Sequence, residues 1–141
     1  MTSTVVLDTN VFISALRSKR GASHQVLRQI GKEKFEIALS VPLILEYEEV
    51  AKRQSRQIGL THSDIDDILD FVCRVGQHHA IHFLWRPQLR DPEDDMVLEL
   101  AVEAEADFIV THNVRDFAGT ERFGVGVITP QEFLETIGHT T

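Results

Sequence analysis

Short apolar runs rich in β-branched residues alternate along the chain with longer stretches whose apolar positions recur at helical spacing. "TVVL" reads as a buried strand ending at Asp8, and "NVFISALRS" after it as a helix. "GASHQVLRQIGK" predicts a second helix, with Ser23 as its cap, Val26, Leu27 and Ile30 as its stripe, and Gly31 as its stop. "FEIALSV" is a second strand. Pro42 then opens a long helix through "LILEYEEVAKRQSRQIG", stopped by Gly59. In "THSDIDDILDFVCRVG", Ser63 with Asp66 suggests a capping box, Ile65, Ile68, Leu69 and Val72 form the apolar face, and Gly76 ends the helix. "HAIHFLW" alternates as a strand does. "RDPEDDMVLELAVEAEA" is a helix opened by Asp91 and Pro92, with Met96, Val97, Leu100, Ala101 and Ala104 toward a core. "DFIVT" and "VGVIT" are buried strands, and "PQEFLETIG" is a closing helix that again begins at a proline.

Strands alternating with helices imply an α/β domain, its parallel sheet covered on both faces and linked by right-handed crossovers. No repeat, low-complexity tract or linker interrupts the 141 residues, so a single domain over residues 1–141 is expected. In such sheets ligands bind beyond the carboxyl ends of the strands. The acids gain meaning from that rule. Asp8 directly follows the first strand, Glu46 lies early in the helix after the second, and Asp94 and Asp95 stand in the first turn of the helix before "DFIVT". Asp116 follows that strand, preceded by Thr111 and Asn113.

Each acid has a plainer reading. Asp8 suits a helix N-cap, Asp94 and Asp95 suit a helix N-terminus, Glu46 has Glu48 and Glu49 as neighbours, and Asp116 suits an exposed turn. Together they are harder to dismiss, because two carboxylates about 4 Å apart repel by roughly 4 kcal/mol at an effective dielectric near 20. A cluster of them needs protons, separation or a cation. Oxygen ligands without thiols favour Mg²⁺ or Mn²⁺, the ions of phosphate chemistry.

Charge bears on the partner. Fourteen Lys and Arg against 22 Asp and Glu leave a net charge of −8, a poor start for holding nucleic acid by general attraction. A divalent cation in an acidic pocket reverses the sign where it matters. Cys73 is the only cysteine, so no internal disulfide and no multi-cysteine zinc site can form, which suits a reducing, cytoplasmic setting. No apolar run is long enough to span a bilayer, and no signal-peptide pattern opens the chain, so no membrane role is expected.

"VVLDTNVFISAL", "VPLILEYEEV", "DPEDDMVLELA" and "DFIVTHNVRDF" resemble, in order and spacing, the PIN domain, and more narrowly the PIN proteins that act as toxins of bacterial toxin–antitoxin pairs. The resemblance implies a three-layer α/β/α sandwich with a five-stranded parallel sheet, and an endoribonuclease dependent on Mg²⁺ or Mn²⁺. Carried over by residue, the acidic quartet falls on Asp8, Glu46, Asp95 and Asp116, as metal ligands and catalytic groups. Many relatives place an acid where this chain has Asn113, which leaves Asp116 to supply the charge and Asn113 to hold water or substrate. Asp94 is placed to serve a second ion, and Asn10 and Thr111 to orient ligands. RNA is the implied substrate, a small antitoxin the implied partner, and a homodimer a further implication.

Arg17, Lys19, Arg20, Arg90 and Arg115 lie near these segments and could hold flanking phosphates, although solvated surface charge is the commoner role. A phosphoaspartyl phosphatase would need an acid where Asn10 stands, a receiver domain would need a lysine after the last strand, and no glycine-rich phosphate loop is present. The competing function is a PIN-like scaffold without catalysis, serving as a binding module for RNA or protein. His78, His79 and His82, Trp85 and Cys73 are assigned structural or surface roles.

Overall fold

The computed structural model describes residues 2–81, 89 and 91–138. Five strands, β1 (Ser3–Leu7), β2 (Phe35–Leu39), β3 (Gln77–His78), β4 (Phe108–Val110) and β5 (Gly126–Ile128), form one sheet in the order β3-β2-β1-β4-β5, every neighbouring pair parallel. The helices are α1 (Thr9–Arg17), α2 (Ala22–Gln29), α3 (Val41–Arg53), α4 (Ser55–Ile58), α5 (His62–Val75), α6 (Pro92–Glu103) and α7 (Pro130–Thr136), with 3₁₀ turns at Val114–Phe117 and Thr120–Phe123. From β1 the chain steps outward to β2 and β3, then crosses back to β4 on the other side of β1. Right-handed crossovers in opposite directions put their helices on opposite faces, so α1 to α5 cover one face while α6 packs on β1, β2 and β4 from the other. The fold is a three-layer α/β/α sandwich with a five-stranded parallel sheet.

Burial on both faces explains why β1 and β2 read as nearly continuous apolar runs: Val5, Val6, Leu7, Ile37, Ala38 and Leu39 are all buried. Phe133 of α7 meets the Phe35 ring edge-on at 4.9 Å and the Phe108 ring at 6.4 Å, closing the core beneath β2 and β4. Gly126 sits across from Phe108, where a Cβ would stand 3.0 Å from its ring.

Several local expectations are corrected. Thr61 with Asp64, rather than Ser63 with Asp66, makes the capping box of α5, because the helix begins one residue after Thr61. Gly21 is the N-cap of α2, and Ser23 lies buried inside the helix. The helix opened by Pro42 breaks at Gln54 into α3 and α4 before Gly59, at φ +83°, ends it. Met96 and Ala104 are half-buried, while Leu98 joins Val97, Leu100 and Ala101 in the core. The third strand is the short Gln77–His78; most of "HAIHFLW", with His82 and Trp85, lies outside the described residues.

A candidate acidic active site at the switch point of the sheet

After β1 the chain turns toward β2, and after β4 toward β5, so the two neighbouring strands send their connections apart and leave a crevice at their carboxyl ends. Asp8 and Thr111 stand on its floor. The Asp8 N–H donates to the Val110 carbonyl at 2.9 Å, which ties the end of β1 to β4. Asp8 is buried, and both oxygens of its carboxylate are held: the Thr9 N–H donates to one at 2.8 Å and the Thr111 hydroxyl to the other at 2.7 Å. Thr111 in turn accepts from the Asn113 N–H at 3.0 Å and the Asn10 amide at 3.4 Å, and the His112 N–H donates to the Asn10 carbonyl oxygen at 3.3 Å. Asn10, Thr111 and Asn113 thus fix one rotamer of Asp8.

α3 brings the second acid. The Thr9 hydroxyl donates to Glu46, and the buried Tyr47 hydroxyl donates to the Leu7 carbonyl, so two consecutive residues fasten α3 to the junction of β1 and α1. Phe12 stacks on Tyr47 at 4.5 Å and holds the helices together. Glu46 is singled out from its neighbours by partners: Glu48 pairs with Lys52 at 3.0 Å and Glu49 with Arg53 at 2.5 Å, while Glu46 faces the crevice. Asp94, in the first turn of α6, and Asp116, on the 3₁₀ turn after β4, complete an acidic wall around a cleft of about 640 Å³.

Asp95 is the exception among the expected ligands. Its carboxylate accepts from the Leu89 N–H at 3.0 Å, and it does not line the cleft. Successive helical residues point about 100° apart, and the rotation of α6 turns Glu93 and Asp94 toward the crevice and Asp95 past its edge. Asp91 and Glu93 also border the cleft. Asp91 is the cap of α6 as the sequence predicts, accepting from the Glu93 N–H; nothing in the spacing marks Glu93. His112 is a further lining residue with no sequence signal, its ring joined to the buried Ser23 hydroxyl at 2.9 Å. Of the five cations considered for phosphate, Arg17 lines the cleft; Lys19, Arg20 and Arg115 do not, and Arg90 lies outside the described residues.

Among the described residues no lysine or arginine pairs with Asp8, Glu46, Asp94 or Asp116. The protonation equilibria record the consequence. Burial pushes the Asp8 carboxyl up, against the hydrogen bonds from Thr111 and Thr9, with the Asp116 and Asp91 charges adding to the push. Burial also raises Glu46, opposed by the Thr9 hydroxyl and reinforced by Glu93 and Asp8. Asp94 is pushed up to about 7, first by burial and then by the charges of Asp8, Asp91, Asp116 and Glu93. Carboxylates that raise one another in this way form a site for positive charge. The donors are all hard oxygens, the set a Mg²⁺ or Mn²⁺ ion takes. No three of the described His, Cys, Asp or Glu side chains stand at coordination spacing, and a Mg²⁺ ion held by one or two carboxylates completes its shell with water.

A family model described as PIN domain matches residues 4–115. The chain therefore belongs to the PIN domain family, whose members are generally nucleases that use divalent metals. Among solved structures it is similar to VapBC2 from Rickettsia felis bound to a DNA fragment from their promoter, with a TM-score of 0.57 and 15% identity over 88% of this chain and 96% of that one. At that identity the likeness establishes the fold. No curated protein matches the chain.

Proposed function

We propose that this protein is an endoribonuclease dependent on Mg²⁺ or Mn²⁺ and the toxin of a toxin–antitoxin pair. The observation that carries the reading is the convergence of Asp8, Glu46, Asp94 and Asp116 in one cleft, from four separate segments and with no lysine or arginine paired to any of the four among the described residues. A structural role for four such acids would come with lysine or arginine partners, as it does for Glu48 and Glu49 further along α3. When bound, the ion supplies charge neutralisation at the phosphoryl group and lowers the pKa of a coordinated water.

The residues themselves divide the work. Asp8 is the anchoring ligand, held in place by Thr111 and the Thr9 N–H before any ion arrives. Glu46, oriented by the Thr9 hydroxyl, and the more exposed Asp94 and Asp116 close the set. Asp95, expected among the ligands, is assigned to the loop before α6 instead. Asn113, with its N–H on Thr111, presents its side chain at the cleft to water or substrate. The likeness to VapBC2 supports a small antitoxin as partner and leaves room for a homodimer. A cytoplasmic setting is proposed from the single cysteine, which suits a reducing compartment; among the described residues no helix is long and apolar enough to cross a membrane.

The test is cleavage of RNA with purified protein at graded Mg²⁺ or Mn²⁺, with the product ends mapped. Internal cuts that require the ion and vanish in Asp8→Asn support the reading. Metal-dependent stabilisation with no cut in transfer, messenger or ribosomal RNA would move the chain to the binding-module alternative.

A further inference from the structure

We propose that the trough between α1 and α3 is a one-sided track for a single RNA strand, in which Arg17, assisted by Arg53, holds a phosphate away from the cut. This rests on the nuclease reading above and adds to it which side of the scissile bond the protein grips.

The two helices run parallel and in register. The Thr9 hydroxyl bonds Glu46 at one end and the Arg17 guanidinium bonds the Gln54 carbonyl oxygen at 2.6 Å at the other, both pairs 37 positions apart in the chain. On α1 the cleft-lining residues Thr9, Asn10, Ile13, Ser14 and Arg17 follow one helical face, and on α3 Glu46, Val50 and Arg53 do the same. Each wall therefore begins with a carboxylate, Asp8 as the cap of α1 and Glu46 on α3, and ends with a guanidinium. Between the poles the lining is uncharged. Eight residues at 1.5 Å each separate Thr9 from Arg17 by about 12 Å, more than the reach of one phosphate group.

The basic pole is available for binding. Arg17 offers five N–H donors, and Gln54, a neutral partner, engages one of them. Among the described residues no carboxylate pairs with Arg17. Gln54 stands at the break between α3 and α4, and its side-chain amide meets Arg17 there. Arg53 keeps an exposed ion pair with Glu49, of the kind that exchanges readily for a phosphate. A cation-filled acidic pole and a guanidinium pole about 12 Å apart match two phosphates of one strand, and a fork of donors suits a phosphate better than a point charge does. In a chain of net charge −8, this pole offers the strand a grip that needs no metal.

The experiment uses single-stranded oligoribonucleotides with one cleavage site, trimmed step by step from the 5′ or the 3′ end. Wild-type protein should lose kcat/KM on trimming one end only. Arg17→Gln should raise KM about tenfold at unchanged kcat, the scale of one charge-assisted hydrogen bond, and should lose the sensitivity to trimming. Binding measured by fluorescence anisotropy in an Asp116→Asn background should show the slope of log Kd against log salt falling by about 0.7 in the Arg17→Gln form, the loss of one phosphate contact. Arg17→Lys should keep that slope and lose part of the affinity. If wild type cuts RNA while Arg17→Gln keeps the same slope and the same trimming profile, the track is wrong and the nuclease reading stands. If Arg17→Gln leaves RNA untouched but weakens a copurifying protein, the basic pole is a partner surface and the proposal fails. If wild type neither cuts nor binds RNA, both fall.

Discussion

α3 carries three glutamates within four residues, and they meet opposite fates. On its outer face Glu48 pairs with Lys52, which also reaches Asp66 of α5 at 2.7 Å, and at the rim of the cleft Glu49 pairs with Arg53. On its inner face Glu46 meets a threonine hydroxyl and other carboxylates. The outer face is an ordinary protein surface: each charge has a partner four residues on or one helix away, in contacts worth about 0.2–1 kcal/mol. The inner face leaves like charges together, at a cost to the folded state, and joins Glu46 to acids from three other elements. The contrast separates paired charge from unpaired charge within one helix, and our proposal assigns the unpaired charge to a ligand.

Variants can break or sharpen that contrast. The largest effects belong to the inner side. Losing an outer-shell partner of a metal costs 10–100-fold, so if Asp8 is the ligand we propose, Asp8→Asn should cost more than about a hundredfold in cleavage. The same change should raise the melting temperature of the metal-free protein, since Asn still caps α1 and no longer repels its neighbours. Asp94→Asn should likewise cost more than about a hundredfold, whereas Asp95→Asn should keep cleavage within tenfold and lower stability by about 0.5–1.5 kcal/mol through the Leu89 hydrogen bond. Equal losses from the two aspartates would remove the basis for choosing between them.

Glu46→Gln should then reduce cleavage and weaken Mn²⁺ binding, while Glu48→Gln and Glu49→Gln should each change stability by less than about 1 kcal/mol and leave metal affinity alone. Activity assays beside chemical denaturation read both.

A pH effect follows from Asp94. Its carboxyl lies near 3.8 in the unfolded chain and about 7 in the folded one, so the folded state binds more protons in between. The stabilising contribution is complete below about 3.8 and is lost as pH rises through about 7. Asp8 and Glu46 shift in the same direction. Metal-free protein should therefore melt lower at pH 8 than at pH 5.5, and Asp94→Asn should flatten the difference. Saturating Mg²⁺ should reverse the trend, because the ion binds the ionised carboxylates. The smallest effect belongs outside: Lys52→Met, tested by chemical denaturation, should cost under about 1 kcal/mol, since its partners Glu48 and Asp66 are half exposed.

The layered α/β order was legible because buried parallel strands advertise themselves as apolar runs and helices as stripes, and Asp8, Glu46 and Asp116 were legible because strand ends mark a crevice. What sequence reading missed depends on a turn of a helix or less. Whether Ser63 or Thr61 caps α5 is decided by where the first hydrogen bond closes, and both start with plausible partners. The break at Gln54 follows no glycine or proline, and it arises where Arg17 and Gln54 meet across two helices. Asp94 and Asp95 are chemically identical neighbours, and only the rotation of α6 on the sheet distinguishes them. His112 reaches the cleft through a contact with Ser23 that spans 89 positions, beyond any local pattern.

The most direct measurement is a Mn²⁺ titration at pH 7.5, followed by calorimetry and by thermal melting, on wild type and on Asp94→Asn. The account predicts saturable binding with a rise in melting temperature that follows the occupied fraction, both much weakened in the variant. A wild-type melting curve that does not move with Mn²⁺ would contradict the claim that these carboxylates are gathered to hold a cation.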